Sequence, residues 1–411
     1  MKHKIVDLYQ LLSTKLKEYE IIDEKIGALT APGEHYGSVI ISVDLKVKST
    51  NNGHEEKTIN LVAKLLPANE MLRKVFDVLV TFKKEVFAYT VAVPTLVAFQ
   101  EEYQIPALKC YSNLFPQCFG ARLSVTESSD QVDDTGVLIF ENLKTQGFYT
   151  QDRLKGYDTE AVKIILKDLA RFHATPIALK LLKPKVFQDK IKPCLVRNKG
   201  LEQVKEIAEV FHMSIIDGAK DCPELEPYLD RIKNVCNRFT DPNFVRPVPS
   251  EPWSTISHSD FWTSNSMMLK NSEGKYVQSK ILDLQLLTYN SALCDLVFFL
   301  FTSVIKEDLE KNFDNFLKIY YDNFMDTLKD FDLDVELFSW DGFKEEFEKA
   351  GQNEVYHILV MLKPICTERG IVQNSPQNFV DSDWTRKDLL GPSHRRQIRN
   401  TVLAFIERNW I

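Results

Sequence analysis

The chain has 411 residues, of which 44% are hydrophobic and 27% are charged. This is the composition of an ordinary globular protein, and it excludes a disordered, fibrous or collagen-like chain. The 51 basic and 58 acidic side chains give a net charge of −7, which disfavours a broadly basic nucleic-acid-binding protein. At this length we expect two or three domains, or one enzyme of two lobes.

The sequence also predicts a cellular compartment. The first residues lack the apolar core of a signal peptide. The longest apolar stretch, Leu296–Phe301, is much shorter than the ~20 residues that span a bilayer. The seven cysteines are dispersed without a Cys-x-x-Cys pair, which indicates reduced thiols and no zinc site. We therefore expect a cytoplasmic protein with no membrane or nucleic-acid partner, and the sequence leaves its oligomeric state open.

The first predicted elements are a helix and a β-hairpin. An amphipathic helix is predicted within residues 4–22, because four apolar side chains there share one helical stripe. They are Ile5, Leu8, Leu12 and Leu16. Alternating apolar residues over 36–47 and an apolar run over 58–66 predict two strands, and the turn sequence Asn51–His54 between them predicts a hairpin. A helix over about 69–93 and strands around 110–126 and 136–140 follow.

From about residue 150 the chain is predicted to be mainly helical. Asp158 is expected to cap a helix, and Pro176 to end or kink it. Four prolines within 241–256 predict an irregular connector, after which short strands and further helices follow. The sequence thus predicts an α+β fold with a small β-rich lobe (1–142) and a larger, mainly helical lobe (143–411).

The segment after the proline connector carries the most specific pattern. His258, Asp260 and Asn265 have the spacing His-x-Asp-x-x-x-x-Asn, and a hairpin predicted over 266–282 leads to Asp283. This order is typical of a phosphotransferase, in which the loop aspartate orients an acceptor hydroxyl and can take its proton. Asn265 and Asp283 offer the oxygens that suit Mg²⁺ against the phosphates of ATP. His258 belongs to this catalytic loop, and we expect it to form structural hydrogen bonds rather than carry a proton.

Each of these residues has a simpler explanation when it is taken alone. A single loop aspartate is more often a cap or a turn residue than a catalyst, and Asn265 could be an ordinary turn amide. The conjunction of all four residues in this order favours the phosphotransferase interpretation.

Lys64 and Glu85 are candidates for gripping a nucleotide. Lys64 lies in the middle of an apolar strand, where a buried amine needs a partner or an anionic ligand. Glu85 shares a helical face with Val78, Phe82 and Tyr89, so it is expected to point inward. Such a pair aims the lysine of a kinase at phosphates. The simpler interpretations are a snorkelling lysine at a strand edge and a partly exposed glutamate.

Three further features give weaker signals. Gly33, Gly37 and Ser38 open the first long strand and could present N–H groups to phosphates, although a plain β-turn would look the same. The strand ending near Glu141 and Leu143 could be a hinge whose backbone binds adenine, although any edge strand would look the same. Asp295 is expected to be structural, either as a helix N-cap or as a brace to the catalytic loop.

Together these segments resemble the ecdysteroid kinase-like family, which is related to choline kinases and aminoglycoside phosphotransferases. The resemblance spans nearly the whole chain. It rests on Gly33–Ser38, Lys64, Glu85, Phe87, Tyr89, Leu138–Leu143, Leu169–Ala174, His258–Asn265, Asp283–Gln285 and Asp295-Leu296.

The resemblance implies a protein-kinase-like two-lobed fold and ATP-dependent phosphorylation of a hydroxyl on a small molecule. Acceptors in the family are ecdysteroids, and roles in detoxification have been proposed. Carried over to this sequence, Asp260 is the catalytic base, Asn265 and Asp283 are the metal ligands, and Lys64 grips the phosphates.

Two positions depart from the family pattern. Ser259 stands where the family usually has glycine, and Leu284 stands where it usually has phenylalanine. If a positive φ is needed at Ser259, serine carries a modest strain. A second hypothesis is therefore a catalytically weak, kinase-shaped binder of a hormone or xenobiotic. A third hypothesis is a kinase of a polar, choline-like or aminoglycoside-like acceptor. It stays open because the aromatic residues of the helical lobe permit a steroid acceptor but do not identify one.

Overall fold

The N-terminal part of the molecule is built on one antiparallel sheet. The computed structural model describes residues 4–29, 38–51, 55–197, 205–241, 247–368 and 386–411. Five strands pair in the order β1-β2-β3-β5-β4. They are β1 (Tyr19–Ala28), β2 (Val39–Ser49), β3 (Glu56–Leu65), β4 (Cys118–Arg122) and β5 (Val137–Glu141). The predicted hairpin is the β2–β3 pair, in which Ile40 lies opposite Lys64.

The prediction of one helix over residues 4–22 is wrong after residue 12. The helix α1 covers only Leu8–Leu12, and β1 begins at Tyr19 and pairs with β2 along its length. Leu16 lies between them and is buried with the apolar face of the sheet although it is not helical. The spacing of the four apolar residues therefore predicts correctly that they are buried. The conformation of the residues after Leu16 is set instead by the backbone hydrogen bonds that β1 forms with β2.

The helical segment after β3 is longer and more broken than predicted. It consists of α2 (Glu70–Val75), α3 (Val78–Phe87) and α4 (Val93–Glu102), and a π-helical turn joins the last two. Asn69 caps α2 by accepting the Leu72 N–H at 3.1 Å. Asp77 has a φ of 49°, which separates α2 from α3. This break lets α3 take its own direction and present Glu85.

The larger part is mainly helical, as predicted. Its helices are α5 (Thr159–Leu182), α6 (Pro184–Val186), α7 (Lys205–Lys220), α8 (Leu229–Thr240), α9 (Ala292–Ser303), α10 (Lys306–Lys329), α11 (Trp340–Cys366) and α12 (Pro392–Glu407). Two short antiparallel pairs stand between α8 and α9. They are β6 (Ser254–Ser257) with β9 (Thr288–Ser291), and β7 (Ser266–Lys270) with β8 (Tyr276–Ile281). The α+β prediction is thereby confirmed.

Pro176 does not end α5, which continues to Leu182. A proline inside a helix removes the hydrogen bond to the carbonyl four residues earlier, here that of Phe172. The hydroxyl of Tyr111 donates to this carbonyl at 3.2 Å and compensates for the loss. Asp158 caps the helix as predicted, because its side chain accepts the Ala161 N–H at 2.9 Å.

The two parts share one hydrophobic core. Apolar side chains of α3 and α4 belong to the same buried cluster as those of α5, α9 and α11. Every residue of α9 is buried, so this helix lies at the centre of the larger part. Within the described ranges, no helix has the length and apolar character needed to cross a bilayer.

Candidate active site

Lys64 lies at the junction of the two parts. It extends from β3, is 5% exposed, and places its Nζ 2.5 Å from Glu85 Oε2 on α3 and 2.7 Å from Asp283 Oδ1 just after β8. The snorkelling interpretation is wrong, since the amine is buried and paired. Burial favours the neutral amine, but the two carboxylates outweigh it and raise the pKa of Lys64.

Glu85 joins this amine to the segment that follows Asp283. Its second oxygen accepts the Leu284 N–H at 3.2 Å. The side chain is 1% exposed, so the interpretation as a partly exposed glutamate is wrong as well. Burial raises the pKa of the Glu85 carboxyl, and the ammonium of Lys64 opposes that effect. The result is a fixed array of three charged side chains drawn from a strand, a helix and a loop.

The catalytic loop brings Asp260 and Asn265 together. The Asn265 Nδ2 donates to the backbone oxygen of Asp260 at 2.8 Å and to its Oδ2 at 2.9 Å. Both amide hydrogens are therefore used, and no described residue donates to the Asn265 amide oxygen. The Leu282 N–H donates to the backbone oxygen of Asn265 at 2.9 Å, which places Asp283 beside this loop.

The electrostatic surroundings favour a proton on Asp260. The protein packed around this partly exposed side chain raises its pKa to about 7, chiefly by desolvation. Asp283 adds to the increase, whereas His357 and the Asn265 hydrogen bond oppose it. A carboxylate of this kind is more basic than a free aspartate, which suits a group that accepts a proton from a hydroxyl.

Ser259 adopts the left-handed conformation that the sequence left in question. Its φ is 63°, where glycine is accommodated without cost. Its N–H donates to Asp295 Oδ1 at 2.8 Å, and its hydroxyl lies 2.6 Å from that of Thr288. These contacts hold the serine in place and aim the next residue, Asp260.

Asp295 is a brace and not an N-cap. Ser291 caps α9, whereas Asp295 lies in its first turn, 1% exposed. The Asp295 carboxylate accepts hydrogen bonds from the Ser257 hydroxyl (2.9 Å) and from the N–H groups of His258 (2.5 Å) and Ser259 (2.8 Å). Burial opposes its ionisation, but these bonds and His173 outweigh burial and lower the pKa of Asp295.

His173 is a member of this site that the sequence motif included without assigning it a role. It is completely buried, with Nε2 3.0 Å from Asp295 Oδ2 and Nδ1 2.7 Å from the Tyr320 hydroxyl. Since the carboxylate only accepts, Nε2 is the donor in the pair with Asp295. The signal that could have found it is a histidine in a run of buried apolar residues of a helix.

His258 lies in the loop as a structural group. It is fully buried, its Nε2 lies 2.8 Å from the Leu282 carbonyl, and burial lowers its pKa. A neutral ring that donates from Nε2 to a carbonyl ties the start of the loop to the end of β8. The geometry agrees with the expectation of a hydrogen-bonding role.

The predicted hinge and glycine segment are described only in part. The Glu141 carboxylate accepts the Gln117 N–H at 2.8 Å and the Gln146 amide at 2.7 Å, and Leu143 is buried. Ser38 is buried just before β2. Gly33 and Gly37 lie outside the described residues.

A comparison with models of protein families identifies the family of this chain. The model of the ecdysteroid kinase-like family matches residues 32–333. The chain belongs to the ecdysteroid kinase-like family. It is thus a member of a small-molecule, kinase-like family of phosphotransferases with hydroxyl acceptors, and its two-lobed architecture is the kinase-like fold.

Solved structures of other kinase-like proteins resemble this ecdysteroid kinase-like chain at low identity. A GDP complex of an aminoglycoside 2'-phosphotransferase IIIa is 11% identical with a TM-score of 0.43, covering 99% of this chain and 100% of that one. Spectinomycin phosphotransferase, in complex with ADP and its antibiotic, is 11% identical with a TM-score of 0.43, covering 96% and 98%. Choline kinase from Cryptosporidium parvum Iowa II is 9% identical with a TM-score of 0.40, covering 96% and 92%. No curated protein matches the sequence.

Proposed function

We propose that this protein transfers the γ-phosphate of ATP to a hydroxyl of an ecdysteroid or a related lipophilic alcohol. The observation that carries the proposal is the array around Lys64. A buried ammonium contacts Glu85 and Asp283, and Asp283 follows a hairpin that begins just after Asn265. A phosphotransferase needs these charges at one point, because positioning and charge neutralisation supply most of its catalysis.

Asn265 and Asp283 are the proposed ligands of Mg²⁺. The amide oxygen of Asn265 has no hydrogen-bond donor among the described residues, and hard oxygen atoms are the donors that Mg²⁺ prefers. No cluster of three or more His, Cys, Asp or Glu side chains suited to a metal occurs in the described part of the chain. This fits an ion that takes its remaining ligands from phosphates and water. When bound, Mg²⁺ neutralises charge on the phosphates.

The remaining proposed roles belong to the chain's own residues. Asp260 orients the acceptor hydroxyl and accepts its proton, and Lys64 holds the phosphates with Glu85 fixing its direction. Gly33, Gly37 and Ser38 cover the phosphates with backbone N–H groups. The backbone of Glu141 and Leu143 binds the adenine at a hinge between the lobes 1–142 and 143–411. His258 keeps the loop in register.

A phosphorylation assay tests this proposal. The protein is incubated with Mg-ATP and a panel of ecdysteroids, plant steroids, phenolics, choline and an aminoglycoside, and the products are measured by mass spectrometry. A gain of one phosphate on a steroid is expected. Asp260→Asn should fold normally and lose roughly 10²-fold or more in turnover, the range for a general base. Asp326→Asn, at an exposed position on α10, is the matched control and should keep full turnover.

Each other outcome identifies what fails. Phosphorylation of choline or the aminoglycoside alone would overturn the lipophilic acceptor and leave a kinase of polar alcohols. Wild-type turnover in Asp260→Asn would contradict the assignment of Asp260 as the catalytic base. Mg-ATP affinity, measured by calorimetry, should fall strongly in Asp283→Asn, and an unchanged affinity would contradict its role as a metal ligand. A protein that does not bind Mg-ATP would be the kinase-shaped binder instead.

A further inference from the structure

A cavity lies on the face of the N-terminal sheet that is turned away from Lys64. Its floor is a row of apolar side chains at the ends of three neighbouring strands. Val39 on β2 lies opposite Leu65 on β3, and Leu65 lies opposite Val137 on β5. Laterally paired residues of antiparallel strands share a face, whereas Leu65 and its neighbour Lys64 point to opposite faces. The cavity is therefore separate from the candidate active site.

The same row of side chains ends in an arginine. Arg122 on β4 lies opposite Val137, so its side chain leaves the sheet on the cavity face. Its Nε donates to the Thr135 carbonyl at 3.0 Å, and its Nη2 donates to the Val6 carbonyl. These bonds hold the N-terminal segment, residues 4–6, beside the sheet as one wall of the cavity.

Arg122 makes no ion pair with a carboxylate of the described residues. Asp133, in the loop between β4 and β5, is bonded instead to the Ser124 hydroxyl at 2.6 Å and to the Thr135 N–H at 2.8 Å. The two bonds of Arg122 use its Nε and Nη2 atoms, and its Nη1 has no acceptor in the part of the chain that the structure describes. A cation at the edge of an apolar cavity therefore keeps hydrogen-bond donors for a ligand.

The charge around the cavity favours an anion. Lys4, Arg73 and Arg122 line it, and Asp134 is the one carboxylate among its described lining residues. Asp134 already pairs with Arg73, whose Nη2 lies 2.6 Å from its Oδ1. The charges that remain are those of Lys4 and Arg122. A guanidinium fork suits a carboxylate or a phosphate, because it can bind two of their oxygen atoms at once.

We propose that this cavity binds an organic anion that carries a carboxylate or phosphate group on a short apolar body. The anionic group bonds to Arg122, and the apolar body lies on Val39, Leu65 and Val137. The volume of the cavity, about 320 Å³, falls within the range of small-molecule sites, ~300–1,000 Å³. The ligand contacts the sheet and the N-terminal segment together, so its binding stabilises the folded protein.

Calorimetry with a matched set of probes tests the proposal. Hexyl phosphate and heptanoate carry both parts of the expected ligand, hexanol carries the apolar part alone, and inorganic phosphate carries the charge alone. The wild type should bind at least one of the two anionic amphiphiles roughly tenfold more tightly than hexanol or inorganic phosphate. That probe should also raise the midpoint of thermal denaturation. Equal affinity for all of the probes, or no binding of either amphiphile, would overturn the proposal.

Variants of the arginine identify where the probe binds. Arg122→Gln should weaken the binding of the tighter amphiphile roughly tenfold or more, because hydrogen bonds from a charged group are lost. Arg122→Lys keeps the charge without the fork and should have an intermediate affinity. Arg231→Gln, at an exposed position on α8, is the matched control and should bind as the wild type does. Unchanged binding in Arg122→Gln would show that the anion binds elsewhere and would overturn the site.

A measurement on the wild type avoids any dependence on the folding of the variants. A photoactivatable diazirine analogue of the tighter amphiphile is crosslinked to the protein, and the labelled tryptic peptides are identified by mass spectrometry. Trypsin cleaves after Lys64, so a label on Leu65 is distinguished from a label on Lys64. Label is expected in the peptides that contain Val6, Leu65 or Val137, and an excess of the unmodified amphiphile should prevent it. Label confined to other peptides would contradict the proposal, whether or not the protein has phosphotransferase activity.

Discussion

Ser259 departs from the family pattern and still adopts a left-handed backbone conformation, with a φ of 63°. A left-handed backbone costs a non-glycine residue about 1 kcal/mol or more, and glycine avoids this cost. Here the serine hydroxyl bonds with Thr288 at 2.6 Å, and the hydroxyl of Ser257 is 3.3 Å away. The strain of the left-handed backbone and the hydroxyl contacts therefore oppose each other at this position.

Two substitutions at Ser259 separate the cost of the backbone strain from the contribution of the hydroxyl contacts. Ser259→Ala removes the hydroxyl and keeps the strain, whereas Ser259→Gly removes both. The glycine variant should therefore have a free energy of unfolding about 1 kcal/mol larger than that of the alanine variant, measured by denaturant titration. Both variants should keep the Mg-ATP affinity of the wild type. An alanine variant as stable as the glycine variant would show that the φ of 63° carries no strain.

At the scale of single residues, the sequence predicts a functional role best for charged side chains that lie among apolar neighbours. Lys64 in an apolar strand and Glu85 on an apolar helical face are such side chains, and the structure brings the two together. The role of His173 could not be predicted in the same way. Its place in an apolar helical run marks it as unusual, but its partner Asp295 lies 122 residues further along the chain, so the sequence does not reveal the contact between them.

At the scale of elements, α9 organises the catalytic loop from behind. Asp295 is the only carboxylate in this fully buried helix, and it accepts two consecutive backbone N–H groups of the loop. In Asp295→Asn, the NH₂ group of the new side chain would face the N–H groups of the loop, which are donors as well and would lose their acceptor. We expect the free energy of unfolding to fall by about 3 kcal/mol, because hydrogen bonds to a buried charged group are worth about 1.5–3 kcal/mol each. Turnover should fall as the loop loses its direction.

A matched change separates this effect from the general cost of the substitution. Asp308 lies in the first turn of the next helix, α10, and accepts the Thr159 N–H at 2.9 Å away from the catalytic loop. Asp308→Asn should lower stability by about 1 kcal/mol at most and leave turnover intact. Thermal denaturation and steady-state kinetics measure both variants, and equal effects of the two changes would contradict the bracing role of Asp295.

The elements that the sequence predicts best are those with a clear period and a turn between them. The β2–β3 and β7–β8 hairpins follow from alternation and from turn residues. The strand β1 was not predicted, because its pairing with β2 is a long-range property and the preceding apolar spacing is helical. The survival of α5 beyond Pro176 depends on Tyr111, which lies 61 residues from Phe172 in the chain.

At the scale of the whole molecule, the ion pair of Lys64 with Asp283 joins the sheet to the helical part. The two residues are 219 positions apart in the sequence. The order of motifs along the chain predicts that both belong to one site. It does not predict that α9 and α11 stand behind that site, since their packing depends on apolar surfaces that many arrangements would bury equally well.

The packing of α7 against α12 gives the molecule a pH-dependent stability. His394 on α12 is 1% exposed and fits against Gly218 on α7, where a Cβ atom would lie 2.4 Å from its ring. Burial lowers its pKa from 6.5 to about 4, with Lys363 and Arg395 adding to the decrease and Asp221 opposing it. In the unfolded chain this histidine becomes protonated as the pH falls below about 6.5, whereas in the folded protein it stays neutral until the pH approaches about 4.

The unfolded state therefore binds more protons than the folded state between about pH 6.5 and pH 4, so stability falls as the pH falls through this range. Relative to His394→Gln, the wild type should lose about 2 kcal/mol of unfolding free energy between about pH 7.5 and pH 5. Denaturant titrations at both pH values measure this change. The comparison with the variant removes the contributions of carboxylates common to both proteins, as well as the constant cost of placing glutamine beside Gly218. A difference between the two proteins that does not vary with pH would mean that water or a proton reaches His394 in the folded state.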